Sequence, residues 1–125
     1  MTKRHIRGII ARPMAAALLT LGSQLALAHA YPTHQMPPAG SIVPTSTNNV
    51  AIDFDDGLEP AFSNITVANA AGAAVADGKA VVDKANVRHM SVALKPLTPG
   101  VYTVTWVAVA VDGHRTTGHY DFTVK

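Results

Sequence analysis

Apolar and polar residues alternate along several separate stretches of this chain, with the period typical of half-buried β-strands. The longest alternating stretch, 101–111, is also dense in β-branched and aromatic residues, which favour strands. The five stretches are 50–54, 64–68, 89–94, 101–111 and 119–124. Each predicts a strand that turns one face toward a core. The predicted inward residues are Val50, Ile52 and Phe54; Ile65 and Val67; Met90, Val92 and Leu94; Tyr102, Val104 and Trp106; and Tyr120, Phe122 and Val124.

Two weaker segments complete the predicted set of strands. Ile42–Val43 is long enough for a short first strand, and 73–76 for another between Gly72 and Gly78. The prolines of 29–49 exclude a regular helix, so this segment is expected to be extended and loop-rich. About seven short strands separated by turns, with no convincing helix, predict an all-β, antiparallel β-sandwich.

The first part of the chain has the pattern of a secretory signal peptide. Four basic residues precede an apolar stretch, Met14–Leu27, which is followed by the small-x-small sequence Ala26-Leu27-Ala28. The apolar stretch is short for a membrane span, which needs about 20 residues. We therefore expect residues 1–28 to be removed and residues 29–125 to form one exported domain without stable membrane insertion.

Composition narrows the function of that domain. Residues 29–125 carry six Lys and Arg against eight Asp and Glu, a net charge of −2, so the basic character of the whole chain comes from the leader. A nucleic-acid partner is therefore not expected. The chain has no cysteine, so any metal site must use nitrogen, oxygen or thioether ligands.

Cleavage after Ala28 would make His29 the first residue, with a free α-amino group beside its imidazole. Asp112 and His114 stand two residues apart at a strand end, so their side chains can converge, and Gly113 lets the backbone bend between them. An α-amine ordinarily titrates at about 7.7–8.0, so a metal can displace its proton near neutral pH. Three nitrogens and one oxygen suit Cu(II). From the residues alone, an ordinary Asp-Gly turn and a disordered N-terminus remain alternatives.

The last third of the chain resembles a known family. Residues 97–106 fit the pattern L-x-x-G-x-Y-x-V-x-W, and Asp112, His114 and Gly118 fit D-x-H-x-x-x-G, before a final F-x-V at 122–124. These motifs are similar to those of the CopC family of periplasmic copper-resistance proteins. The resemblance implies an immunoglobulin-like Greek-key sandwich of seven strands. It also implies one Cu(II) ion per chain, bound by His29 (amine and imidazole), Asp112 and His114.

The same resemblance implies a function in copper homeostasis without catalysis, in the periplasm, with a membrane copper transporter of the CopD type as a transient partner. The chain departs from the family at Asp56, where many relatives have Glu, so the role of Asp56 near copper stays open. Residues 64–88 contain neither Met nor His. Because Cu(I) prefers thioethers, we expect no methionine-rich Cu(I) site.

Other candidate residues have a simpler interpretation. His34 and Met36 are expected to be exposed loop residues, although they are close enough in sequence to His29 to approach copper. His89 is expected to face water, and His119 to occupy an exposed strand position rather than to support His114. Tyr102 and Trp106 are expected in the core.

Two other functional classes remain as alternatives to a copper-binding protein, which we expect to be a monomer. A copper monooxygenase with an N-terminal histidine would need open metal positions and a flat substrate surface, which the Asp112 carboxylate and the few aromatic residues disfavour. A non-metal immunoglobulin-like interaction module would retain no copper at all.

Overall fold

A computed structural model describes residues 29–125. The predicted signal peptide, residues 1–28, lies outside the described residues. Within 29–125 every regular element is a β-strand. No helix in this part of the chain is long and apolar enough to cross a membrane.

Eight strands form two four-stranded sheets. They are β1 (Pro32–Met36), β2 (Ile42–Val43), β3 (Asn49–Phe54), β4 (Asn64–Asn69), β5 (Val81–Val82), β6 (His89–Ala93), β7 (Gly100–Val109) and β8 (Arg115–Val124). The strand orders are β1-β3-β6-β5 in the first sheet and β2-β8-β7-β4 in the second. Neighbouring strands are antiparallel except for β2, which runs parallel to β8. This architecture confirms the predicted all-β sandwich.

The core lies between the two sheets and contains the residues that the alternation placed inward. Each of the predicted inward residues is buried, with side chains such as Val50, Ile52 and Val104 fully so. Phe54 meets Trp106 edge to face across the core, with ring centroids 5.5 Å apart. Tyr102 stacks on Phe122 at 5.6 Å. Burial of these apolar faces is the main stabilising contribution in a domain without disulfides.

Tyr102 also carries a feature typical of immunoglobulin-like folds. Its hydroxyl donates a hydrogen bond of 2.6 Å to the carbonyl of Thr98, four residues earlier, and accepts one from the Thr98 N–H at 3.1 Å. A tyrosine that bonds back to the backbone before its own strand resembles the tyrosine corner of such sandwiches. It secures the turn that leads into β7.

The first part of the described chain differs from the prediction. Residues 32–36 form β1 rather than a loop, at the edge of the first sheet beside β3. The prolines exclude a helix but not this arrangement, because Pro32 is the first residue of an edge strand, where its missing N–H is tolerated.

The middle of the chain differs from the prediction in two respects. No strand forms at 73–76, where Ala74 and Ala76 make only isolated bridges, to Ala68 and Leu94. This segment passes from β4 in the second sheet to the end of β6 in the first, so it makes one bridge at each and no ladder. The two-residue strand β5 was missed because it is too short to show alternation.

The last hairpin has different limits from those predicted. β7 ends at Val109 rather than Val111, and β8 begins at Arg115 rather than His119. The ladder pairs Val109 with Arg115 and continues to Gly100 with Val124. Thr116 and Gly118 are the reason that the start of β8 was missed, since neither has the large apolar side chain that marks an inward position.

Candidate metal centre

The turn between β7 and β8 carries two of the three predicted ligands. The N–H of Gly113 bonds to the carbonyl of Ala110, and the N–H of Ala110 bonds to the carbonyl of His114, both at 2.9 Å. Gly113 has a φ of 89°, a left-handed conformation that glycine adopts without steric cost. This tight turn brings the side chains before and after Gly113 to the same side.

Asp112 and His114 contact one another directly. One carboxylate oxygen of Asp112 lies 2.8 Å from Nδ1 of His114, and the other accepts the backbone N–H of His114 at 3.1 Å. A proton on Nδ1 leaves the lone pair on Nε2 for a metal, and the carboxylate then orients the imidazole, as acidic partners of metal-bound histidines commonly do. A direct bond between Asp112 and a metal would require the carboxylate to leave Nδ1.

The N-terminal segment reaches the same turn. The imidazole of His29 lies beside that of His114, with ring centroids 4.9 Å apart and planes inclined by 60°. The ring of Tyr31 also lies near His29, with ring centroids 6.0 Å apart. The structure thus brings His29 to the same end of the sandwich as Asp112 and His114, although more than 80 residues separate His29 from that pair in the chain.

Hydrogen bonds on the two residues after His29 hold this segment in place. Ala30 is fully buried in the core, and its carbonyl accepts a 2.6 Å hydrogen bond from the hydroxyl of Thr116. The N–H of Tyr31 donates to the Asp55 carboxylate at 2.7 Å, and the N–H of Asp55 donates back to the Tyr31 carbonyl at 2.9 Å. Sequence reasoning missed the contributions of Ala30, Thr116 and Asp55, because no motif marks them.

The donor types at this end suit Cu(II), although three side chains alone do not complete a site. Among residues 29–125, no group of three or more His, Cys, Asp or Glu side chains is arranged to hold a metal ion. In the full chain the nitrogen of His29 belongs to the peptide bond with Ala28. A cleaved chain would instead offer an amine there, beside two imidazoles and a carboxylate, a set of nitrogen and oxygen donors typical of Cu(II).

The other candidate residues have different surroundings. His34 and His119 are exposed strand residues, and Met36 is 51 % exposed. His89 faces outward as predicted, but its Nδ1 lies 2.6 Å from the Asp53 carboxylate on the neighbouring strand. Asp56 accepts the N–H of Gly57 within its own turn.

The fold and this cluster define a class of β-sandwich in which the N-terminal segment and the last hairpin bring imidazoles and a carboxylate together. Residues 33–125 match the family model described as the CopC domain. The chain therefore belongs to the CopC family, and a copper-related function follows from this membership.

Individual relatives agree with the family assignment. The chain is 37% identical over 123 residues to protein YobA of Escherichia coli strain K12, covering 92% of this chain and 97% of that protein. It is 35% identical over 98 residues to the copper transport protein CutJ of Bacillus subtilis strain 168. That match covers 78% of this chain but 18% of CutJ, which is a much longer protein.

Two solved structures have the same fold. CopC from Methylosinus trichosporium OB3b superposes with a TM-score of 0.72 at 31% identity, covering 78% of this chain and 94% of that one. PcoC, described as a methionine-rich copper resistance protein from Escherichia coli, superposes with a TM-score of 0.68 at 29% identity, covering 78% of this chain and 100% of PcoC. The sandwich is therefore the fold of this family.

Proposed function

We propose that residues 29–125 form an exported protein that binds one Cu(II) ion and sequesters or delivers it. The proposed ligands are the amine and imidazole of His29, the carboxylate of Asp112 and the imidazole of His114. The observation that supports this proposal is the 4.9 Å distance between the ring centroids of His29 and His114, because residues that share one metal ion must lie close together.

The choice of copper is supported by the family. The relatives include a copper transport protein and a copper resistance protein. The family match begins at residue 33, so it does not include His29. The assignment of His29 rests instead on the cleavage pattern and on its position beside His114.

The chemistry of the N-terminus requires cleavage before His29 can chelate the metal. The lone pair of a peptide nitrogen is delocalised into the carbonyl, which makes it a poor donor unless its N–H proton is lost. An α-amine gives up its proton to a metal far more readily, because it titrates near neutral pH. The amine and imidazole of His29 would then close a chelate ring, and His114 would add a third nitrogen. Asp112 would add an oxygen once its carboxylate leaves Nδ1 of His114. Because Ala30 and Tyr31 are held by hydrogen bonds, little chain entropy would be lost when the metal binds.

The proposed compartment is the periplasm, and the proposed partner is a membrane copper transporter of the CopD type. The signal-peptide pattern of residues 1–28 supports export. The proposed role is binding and transfer rather than catalysis, since four strong donors leave few positions for a substrate.

The decisive experiment compares protein that begins at His29 with the same protein acetylated at its N-terminus. Acetylation keeps every residue and side chain but turns the amine into an amide, which removes the proposed donor. We expect the acetylated protein to bind Cu(II) at least about 100-fold more weakly, because loss of a ligand should exceed the effect of losing a group that orients one. A competition titration measures the affinity, and electron paramagnetic resonance reports the nitrogen ligands.

Three results would contradict the proposal. Equal affinity of the two proteins would exclude the amine as a ligand. Mass spectrometry of the exported protein that found a first residue other than His29 would remove the premise. Failure of the His29 protein to retain any copper would favour a non-metal interaction module.

A further inference from the structure

Thr116 is a polar residue in an apolar part of the sandwich. Only 9% of its surface is exposed, and Ser63 is the other buried polar residue in the described part of the chain. Thr116 lies on β8, two residues after His114. A buried hydroxyl needs a hydrogen-bond partner, because leaving it unpaired costs free energy.

The partner of Thr116 comes from a distant part of the sequence, 86 residues earlier. Its hydroxyl oxygen lies 2.6 Å from the carbonyl oxygen of Ala30 and 3.4 Å from that of Ala108. A hydroxyl has one proton to donate, so the shorter contact is the principal bond. Ala108 pairs with Thr116 in the β7–β8 ladder. Backbone hydrogen bonds hold these two strands together, so the Thr116 hydroxyl is not needed for their pairing.

This bond therefore joins the two halves of the candidate metal centre. Ala30 follows His29 directly, and Thr116 is two residues from His114. The bond is buried, where water does not compete with it. The Ala30 side chain is fully buried at the same place, so the backbone at the start of the domain is held by both packing and hydrogen bonding.

We propose that Thr116 is a positioning residue for copper: its hydroxyl holds the His29 chelate against His114. The proposal rests on the proposed function. Thr116 touches no metal and supplies no donor. It acts by limiting the freedom of a chain end that would otherwise fray, because a metal site needs its ligands held within about 0.5 Å of the binding geometry.

The test uses three variants of the protein that begins at His29. Thr116→Val has the same shape but no hydroxyl, and Thr116→Ser keeps the hydroxyl. Thr117→Val is the matched control, because Thr117 is the next residue on β8 and is exposed. Each is titrated with Cu(II) against a competing chelator, and its copper spectrum is recorded by electron paramagnetic resonance. Thermal melting of the metal-free proteins measures folding separately.

We expect Thr116→Val to bind Cu(II) about 10- to 100-fold more weakly, the range typical when a group that supports a metal ligand is removed. Its spectrum should show a broadened or altered set of nitrogen couplings. Thr116→Ser should restore the native affinity and spectrum, and Thr117→Val should leave both unchanged.

A purely structural role for Thr116 predicts a different result. Thr116→Val would then melt at a lower temperature but bind Cu(II) with native affinity and an unchanged spectrum, and this would overturn the proposal. If the valine variant does not fold, the folded fraction of Thr116→Ala is titrated instead and decides in the same way. Absence of copper binding by the unsubstituted protein would contradict the proposed function itself, which distinguishes the two failures.

Discussion

Replacement of His114 by alanine should weaken Cu(II) binding more than replacement of any other histidine outside the N-terminus. His114 would supply one of four donors, and its ring lies 4.9 Å from that of His29. Loss of a group that merely orients a ligand typically weakens binding about 10- to 100-fold, so loss of the ligand should exceed about 100-fold. The fold should survive, because the His114 side chain is 40% exposed and lies in a turn.

His119→Ala is the matched control for this experiment. His119 lies on β8, which begins directly after His114, and it pairs with Thr105 in the ladder. It is exposed and about 17 Å further along the chain from His114, at about 3.4 Å per residue. We expect its affinity to stay within about twofold of the unsubstituted protein. Competition titrations of both variants, each beginning at His29, measure the difference. Equal losses in the two variants, or a larger loss in His119→Ala, would refute the assignment of His114.

Two further predictions concern the core. Gly118→Ala should destabilise the fold by about 1–3 kcal/mol or more, because an added Cβ would lie within 2.7 Å of Cε2 of the Trp106 indole. Denaturant unfolding measures the loss, and Thr117→Ala is the control that should show none. Equal unfolding midpoints for Gly118→Ala and the unsubstituted protein would exclude the clash. Burial raises the pKa of Tyr120 from 10.0 to about 12. The unfolded state therefore ionises first as pH rises, and the protein should lose about 2–3 kcal/mol between pH 10 and 12 relative to Tyr120→Phe; parallel stability curves would contradict this.

Much of the fold could be predicted from the alternation of apolar and polar residues. Large inward side chains repeat at every second position in Val50–Phe54 and Tyr102–Trp106. Burial of that face is the main stabilising contribution to these strands, so sequence alone identifies them. The prediction failed where hydrogen bonding to a neighbour makes the strand instead. Pro32–Met36 is a strand because β3 offers an edge to pair with, and the start of β8 is a strand because β7 lies opposite.

Part of the candidate site could likewise be predicted from the sequence, and part could not. The pair Asp112 and His114 could be identified from sequence, because two residues separated by a flexible glycine are close whatever the rest of the chain does. The position of His29 beside them depends on contacts across more than 80 residues, and no local pattern specifies it. Whether its amine becomes a ligand stays a prediction, since it requires cleavage outside the described residues.

Sequence by itself determined the five strands with alternating side chains, their inward faces and the chemical types of the available donors, because these depend on side chains and local spacing. Tertiary structure alone decided that Ala30 is buried and that its carbonyl meets the Thr116 hydroxyl. The physical reason is that a buried polar group must find its partner wherever the packed sheets bring one, and that partner can lie anywhere along the chain.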